Sequence, residues 1–302
     1  MKQQLRKVDM ATDSTIARRL LGLQLETLRQ RADITREDAA KAIAVGRSTI
    51  WKMETGQPVR FYPVLMERLC QLYSATRKET QVILELVKET KGAKGWWQAF
   101  TDDAIPKDFG LFVGLEDAAN RITSYQTTFL PGLLHTEDYK RALIWTEFPN
   151  KPAQDVERML QVGMKRRSRL TDETNPLTMD VFVDESALRR TTGNAQIMNA
   201  QLRHLTDVGE LPNVSIRVVP ASTGAYRALL VGMFVLLEFP PHATAELTMP
   251  PVVYVQGFLG DLYLEDADEV RQYRQARAEL DRLALDEAGS RTLILEIAKE
   301  YV

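Results

Sequence analysis

Apolar residues recur at helical spacing from the start of the chain. Ile16, Leu20, Leu23 and Leu28 predict an amphipathic helix over 13–31, with Asp13 or Ser14 as its N-cap. A second helix opens at Thr35, where Thr35-Arg36-Glu37-Asp38 puts an acid at the third helical position behind a hydroxyl cap. It runs through Ala39, Ala40 and Ile43 to a short break at Ala44-Val45-Gly46. A third helix is predicted from Arg47 to about Thr55, stopped by Gly56. Pro58 keeps the chain extended before a fourth helix at 62–73. Val82, Ile83, Leu86 and Val87 stripe a fifth, over 76–91.

Beyond residue 110 the pattern alternates. It predicts strands at 122–129, 179–183, 214–219, 234–239 and 252–255. It predicts helices at 116–120, 136–145, 153–170, 195–210, 265–285 and 287–301. The apolar run 229–237 reads as a central strand covered on both faces. Strands mixed with long helices imply an α+β or α/β layered domain. The expected architecture is multidomain. An all-α domain over 1–75 is followed by a bridge helix and hinge over 76–95, then by an α+β regulatory or partner-binding domain over 96–302.

Two short helices separated by about three residues form a helix-turn-helix pattern. Their close crossing requires a small residue in the first, which Ala40 supplies. Ile50 and Met53 can pin the second helix from beneath. Its outer face then carries Arg47, Ser48, Trp51 and Lys52. A plain protein-interaction bundle would show the same helix pair.

Charge changes the picture. The net charge is −2, yet residues 1–91 hold 17 Lys and Arg against 11 Asp and Glu. The remainder holds 22 against 30. A basic head on an acidic body fits a duplex-binding module on a non-binding body. Ordinary surface charge would allow the same split, so the motif carries the argument. The longest apolar runs are too short to span a bilayer. The N-terminus MKQQLRKVDM has no apolar signal core, so the expected location is the cytoplasm, on the nucleoid. The single cysteine, Cys70, reads as a small buried apolar residue.

The segment LGLQLETLRQRADITREDAAKAIAVGRSTIWKMETGQ resembles the helix-turn-helix of the lambda-repressor-like, or XRE, family. The resemblance implies DNA base contacts from Arg47, Ser48, Thr49 and Lys52. It implies DNA backbone contacts from Thr35 and Arg36, to which Trp51 and Arg60 are added. Glu54 matches a structural acid paired with an arginine of the first helix, here Arg29. The family turn usually has Gly where Ala44 stands and Ser where Gly46 stands. A left-handed Ala44 would cost roughly 1–2 kcal/mol, so the turn is expected either there or shifted toward Gly46.

The larger half contains GLEDAANRITSYQTTFLPGLLHTEDYKRAL, VDESALRR, AQIMNAQLRHL, PNVSIRVVP and VVYVQGFLGDLYLED. Together these resemble the C-terminal domain of unknown function in actinobacterial WhiJ-like, antitoxin-like transcriptional regulators. The resemblance implies control of linked genes and a small acidic partner protein encoded nearby. A homodimer on double-stranded DNA is expected, and a small-molecule effector is possible in principle. The alternative is an antitoxin-like protein-interaction adaptor with secondary DNA binding.

Other candidate chemistry is sparse. Trp96 and Trp97 follow two glycines at 92–95 and read as interdomain anchors; base stacking is the competing role. Arg189, Arg190, Thr191 and Thr192, with Gly193, form an anion or ligand candidate, or else a salt-bridged helix end with a glycine stop. Pro131–Leu134 with Tyr125 and Phe129 could line an apolar pocket, or pack the core. His135, His204 and His242 lack metal-ligand spacing, so no metal and no cofactor are expected. Asp184-Glu185-Ser186 reads as a helix cap, and no nucleophile or phosphate-loop motif appears. The chain is therefore not expected to be an enzyme.

Overall fold

The computed structural model describes residues 14–91, 96, 109–242, 248–257 and 260–302. They fall into two compact units. The described residues up to Trp96, with those of 241–249, form one; the remainder form the other.

The first unit is all helical: α1 Ser14–Arg31, α2 Arg36–Ala42, α3 Arg47–Glu54, α4 Pro63–Leu72 and α5 Arg77–Glu89. Local chemistry sets three of the starts. Thr35 caps α2 by accepting from the Asp38 amide. Pro63 opens α4, where its missing N–H is no loss. Thr76 and Glu79 close a reciprocal capping box on α5. The apolar faces meet in one core, with Leu21, Leu28, Ala39, Ile50, Met66 and Leu86 almost fully buried. Cys70 is buried there as a small apolar residue. α5, read from sequence as a bridge, packs on both α1 and α4.

The turn between α2 and α3 settles where the left-handed residue lies. Ala44 has φ 55°, while Gly46 is extended, at φ −76°, and serves as the N-cap of α3. The turn is therefore not shifted toward Gly46. The Val45 amide bonds the Ala40 carbonyl at 3.0 Å, closing α2 in a way that needs Ala44 left-handed.

The second unit holds α6 Phe109–Ala118, β1 Arg121–Gln126, α7 Glu137–Glu147, α8 Ala153–Arg167, β2 Thr178–Asp184, α9 Glu185–Arg189 and α10 Ala195–Val208. It continues with β3 Val214–Val219, α11 Arg227–Val231, β4 Phe234–Glu238, β5 Val252–Val255, β6 Leu262–Leu264, α12 Ala267–Leu283 and α13 Glu287–Glu300. The sheet order is β3-β2-β1-β4-β5-β6. β1 and β2 are parallel, as are β2 and β3; β4, β5 and β6 join in antiparallel pairs. The fold is thus the expected multidomain one, a helix-turn-helix region followed by a domain mixing helices with a sheet.

Both faces of the sheet are covered. On one, Tyr125, Phe182, Phe234 and Leu236 pack with Val270, Ala276 and Leu280 of α12. On the other, Phe112 of α6 lies against Tyr254, ring centroids 4.2 Å apart, and Ser290 of α13 accepts from the Val218 amide.

Three sequence expectations need correction. The helix expected at 116–120 begins seven residues earlier, at Phe109, because the apolar run before Glu116 is helical. The run 229–237 is not one strand. Gly232, at φ 81°, ends α11 and lets the chain turn into β4. β6, three residues long, was too short to register as a strand. Asp184 caps α9 through the Ser186 amide, as its position in the sequence implied. No helix among the described residues is long and apolar enough to cross a membrane.

Candidate nucleic-acid interface

The helix-turn-helix is built from below. Ala39 and Ala40 let α2 approach α3, whose Ile50 and Met53 are turned inward and buried. α1 comes closer still. A Cβ placed on Gly22 would stand 2.5 Å from the carbonyl oxygens of both Met53 and Glu54. That position therefore demands glycine, in mid-helix, where glycine is otherwise unfavourable by about 1 kcal/mol. Arg19 of α1 donates to the Thr55 carbonyl at 2.7 Å, holding the C-terminal end of α3.

Glu54 ties the three helices together. Its side chain is almost wholly buried. It accepts from Arg29 Nε at 2.6 Å and from Arg36 Nε at 2.5 Å. Arg36 also reaches Glu26 at 2.8 Å. The Glu54 hydrogen bond, above all, raises the already high pKa of Arg36. Glu54 is the structural acid expected from the sequence, and Arg29 is its partner. Arg36, expected on the DNA backbone, has its guanidinium paired with two carboxylates here. The Thr35 hydroxyl is likewise engaged, bonded to the Asp38 amide and carboxylate at 3.1 and 2.6 Å.

With that floor fixed, α3 presents Arg47, Ser48, Trp51 and Lys52 to solvent, all exposed, with Thr49 half-buried beside them. Arg60, beyond α3, is exposed too. Arg47, Lys52 and Arg60 form no ion pair with the described residues. Cations held without partners on a rigid, polar helix face are what phosphate and base edges require.

The other expected sites fare differently. Arg189 is taken by Glu185 and Glu300, each at 2.7 Å, and Thr192 is buried. Gly193 has φ 71°. The anion candidate is thus a salt-bridged helix end with a glycine stop, in which Arg190 and Thr191 are exposed and make no ion pair among the described residues. Leu133 and Leu134 are core residues, as is Tyr125. Trp96 is half-buried; Trp97 and the glycines at 92–95 lie outside the described residues. His135 is buried, its Nε2 donating to the Leu130 carbonyl at 2.7 Å, and burial lowers its pKa to about 3. No group of three or more His, Cys, Asp or Glu among the described residues could hold a metal.

Sequence reasoning passed over Gly22. A lone glycine inside a helical apolar pattern was the available signal.

Comparison with known proteins agrees with this division. A helix-turn-helix domain model matches residues 20–82, spanning α2, the turn and α3. A second model, for a domain of unknown function, DUF5753, matches residues 109–296, close to the whole second unit. No curated protein and no solved structure matches the chain. An XRE-like helix-turn-helix joined to that domain makes this chain a member of the DUF5753 family.

Proposed function

We propose that the chain is a sequence-specific transcriptional regulator that binds duplex DNA as a homodimer and is controlled through its larger domain. One observation carries the reading: α3 holds Arg47, Ser48 and Lys52 outward without partners among the described residues, over a floor locked by Ile50, Met53 and Glu54. In this reading Arg47, Ser48, Thr49 and Lys52 meet base edges. Arg60 meets a phosphate. Arg36 orients α2 against α3 and contributes to affinity only through that geometry.

A single short helix contacts few base pairs. Two heads on half-sites roughly 34–36 Å apart would supply the missing selectivity. The second unit exceeds what DNA binding needs and belongs to an acidic stretch of chain, so its role is control. The resemblance to WhiJ-like, antitoxin-like actinobacterial regulators supports a small acidic protein, encoded nearby, as the controlling partner; a small-molecule effector would act through the same domain. The workplace is the nucleoid. Catalysis has no part in this reading, in which Asp184 serves as the cap of α9 through the Ser186 amide.

The adaptor reading is favoured by Leu229 and Leu230 of α11, the second 87% exposed, which would suit a protein partner. Genome-wide mapping of bound DNA decides between them. Enrichment of one inverted-repeat motif is the expected result. Absence of any enriched motif, with retained partner binding, would overturn the regulator in favour of the adaptor.

A further inference from the structure

Trp51 is the one residue of the α3 face that neither packing nor charge explains. Its side chain is 43% exposed, while Ile50 and Met53 beside it are 1% and 2% exposed. Its indole makes no hydrogen bond and no ring contact with the described residues. So large an apolar surface left in water gives the free protein nothing. It becomes favourable only when something apolar covers it.

Its neighbours limit what that can be. Arg47 stands one helical turn earlier on the same stripe, and Lys52 follows directly. Neither cation has a partner within the described protein. The complementary surface is therefore anionic overall, with an apolar group set into it. The major groove of a duplex offers this: phosphates along the walls and, as its one apolar feature, the C5-methyl of thymine. Spacing agrees. One helical turn advances about 5.4 Å, and one base step about 3.4 Å. A side chain one turn beyond Arg47 thus stands one or two base pairs further along the groove. A phosphate, by contrast, could engage only the indole N–H and would leave the ring uncovered.

Resting on the DNA-binding reading above, we infer that Trp51 is a specificity-determining residue whose indole covers a thymine C5-methyl, one or two base pairs from the base that Arg47 reads. This moves Trp51 from the backbone contacts, where the sequence placed it, to the base edges.

The test uses the full-length protein. Binding sites are selected from random duplexes, and each thymine of the best site is replaced in turn by deoxyuridine. That substitution keeps every hydrogen-bonding group and removes only the methyl. In the parent protein, one thymine per half-site is expected to weaken binding about fourfold on replacement, the worth of one covered methyl. Trp51→Ala is expected to bind thymine and uracil duplexes equally, while keeping the base preference set by Arg47. Trp51→Phe, which keeps an apolar ring, is expected to keep the discrimination. The inference is overturned if no thymine is sensitive, or if Trp51→Ala shows the same penalty as the parent. A selection that enriches no sequence would instead overturn the DNA-binding reading itself.

Discussion

Arg29 of α1 and Glu54 of α3, 25 residues apart, meet at 2.6 Å with Arg29 nearly and Glu54 wholly out of solvent. The pair fixes the angle at which α3 leaves the bundle. Removing one partner strands the other charge, which typically costs about 3–5 kcal/mol when both are buried. Glu54→Ala is expected to lower stability by that amount and to abolish DNA binding as a consequence. Urea denaturation followed by tryptophan fluorescence checks it. A variant as stable as the parent would show that the pair does not hold the head together.

Gly22 is expected to be nearly as intolerant. An added methyl meets two backbone carbonyls, which cannot rotate aside as a side chain could. Gly22→Ala should destabilise the head by about 1–3 kcal/mol, as overpacked sites do. The expected sign is opposite to that of an open helical site, where alanine improves on glycine. A rise in melting temperature would refute the close approach of α1 to α3.

Ala44 carries strain of the reverse kind. Its left-handed backbone costs roughly 1–2 kcal/mol with a Cβ present. Glycine removes that cost but adds about 0.5–1 kcal/mol of unfolded-chain entropy. Ala44→Gly is thus expected to stabilise the protein by about 0.5–1 kcal/mol without altering base preference. Denaturation midpoints and a binding-site selection, run side by side, test both halves of that statement.

Acid should unfold the second unit partly through His135. Burial, with lesser repulsion from Lys140, lowers its folded pKa to about 3 from an ordinary 6.5. Between those values the unfolded chain takes up a proton that the folded chain does not. Its contribution is therefore complete above pH 6.5 and is lost as pH falls toward 3, at up to about 1.4 kcal/mol per pH unit. His135→Gln should flatten that part of the stability profile relative to the parent. Parallel profiles through this window would contradict the assignment.

What the sequence made legible follows physical range. Caps and packing positions are local, so Thr35, Ala40, Ile50 and Asp184 could be read directly. Glu54 needed the resemblance, since nothing local links it to Arg29. Two of the site readings turned on contacts with other elements of the fold. Arg36 looks free on its own helix, and only the fold brings Glu54 and Glu26 to it. For Arg189 the sequence left open an anion site or a salt-bridged helix end, and Glu300, 111 residues away, makes it the second. At 229–237 the error was local: hydrophobicity is continuous there, and the single Gly232 decides that the run breaks into helix and strand. In the turn, propensity pointed to Gly46, but the α2 end requires the left-handed residue at Ala44.

The three arginines of the reading head should separate by mechanism. Arg47 is unpaired among the described residues, on the exposed face of α3, and is assigned to a base. Arg47→Ala is expected to cost about 1–3 kcal/mol on the selected site and to relax selection at one position per half-site. Arg60 is exposed and assigned to a phosphate. Its loss should weaken all duplexes alike and reduce the slope of log affinity against log salt by about 1 per head, because one fewer counterion is released. Arg36 already neutralises Glu54 and Glu26. Arg36→Ala should leave the salt slope unchanged and act through stability, lowering the denaturation midpoint by more than either other variant. Affinity measured for the three variants across 50–200 mM salt, together with their denaturation curves, distinguishes these roles. A salt slope reduced by Arg36→Ala would mean that its guanidinium leaves Glu54 for the backbone on binding, and that the ion-paired arrangement describes the free head alone.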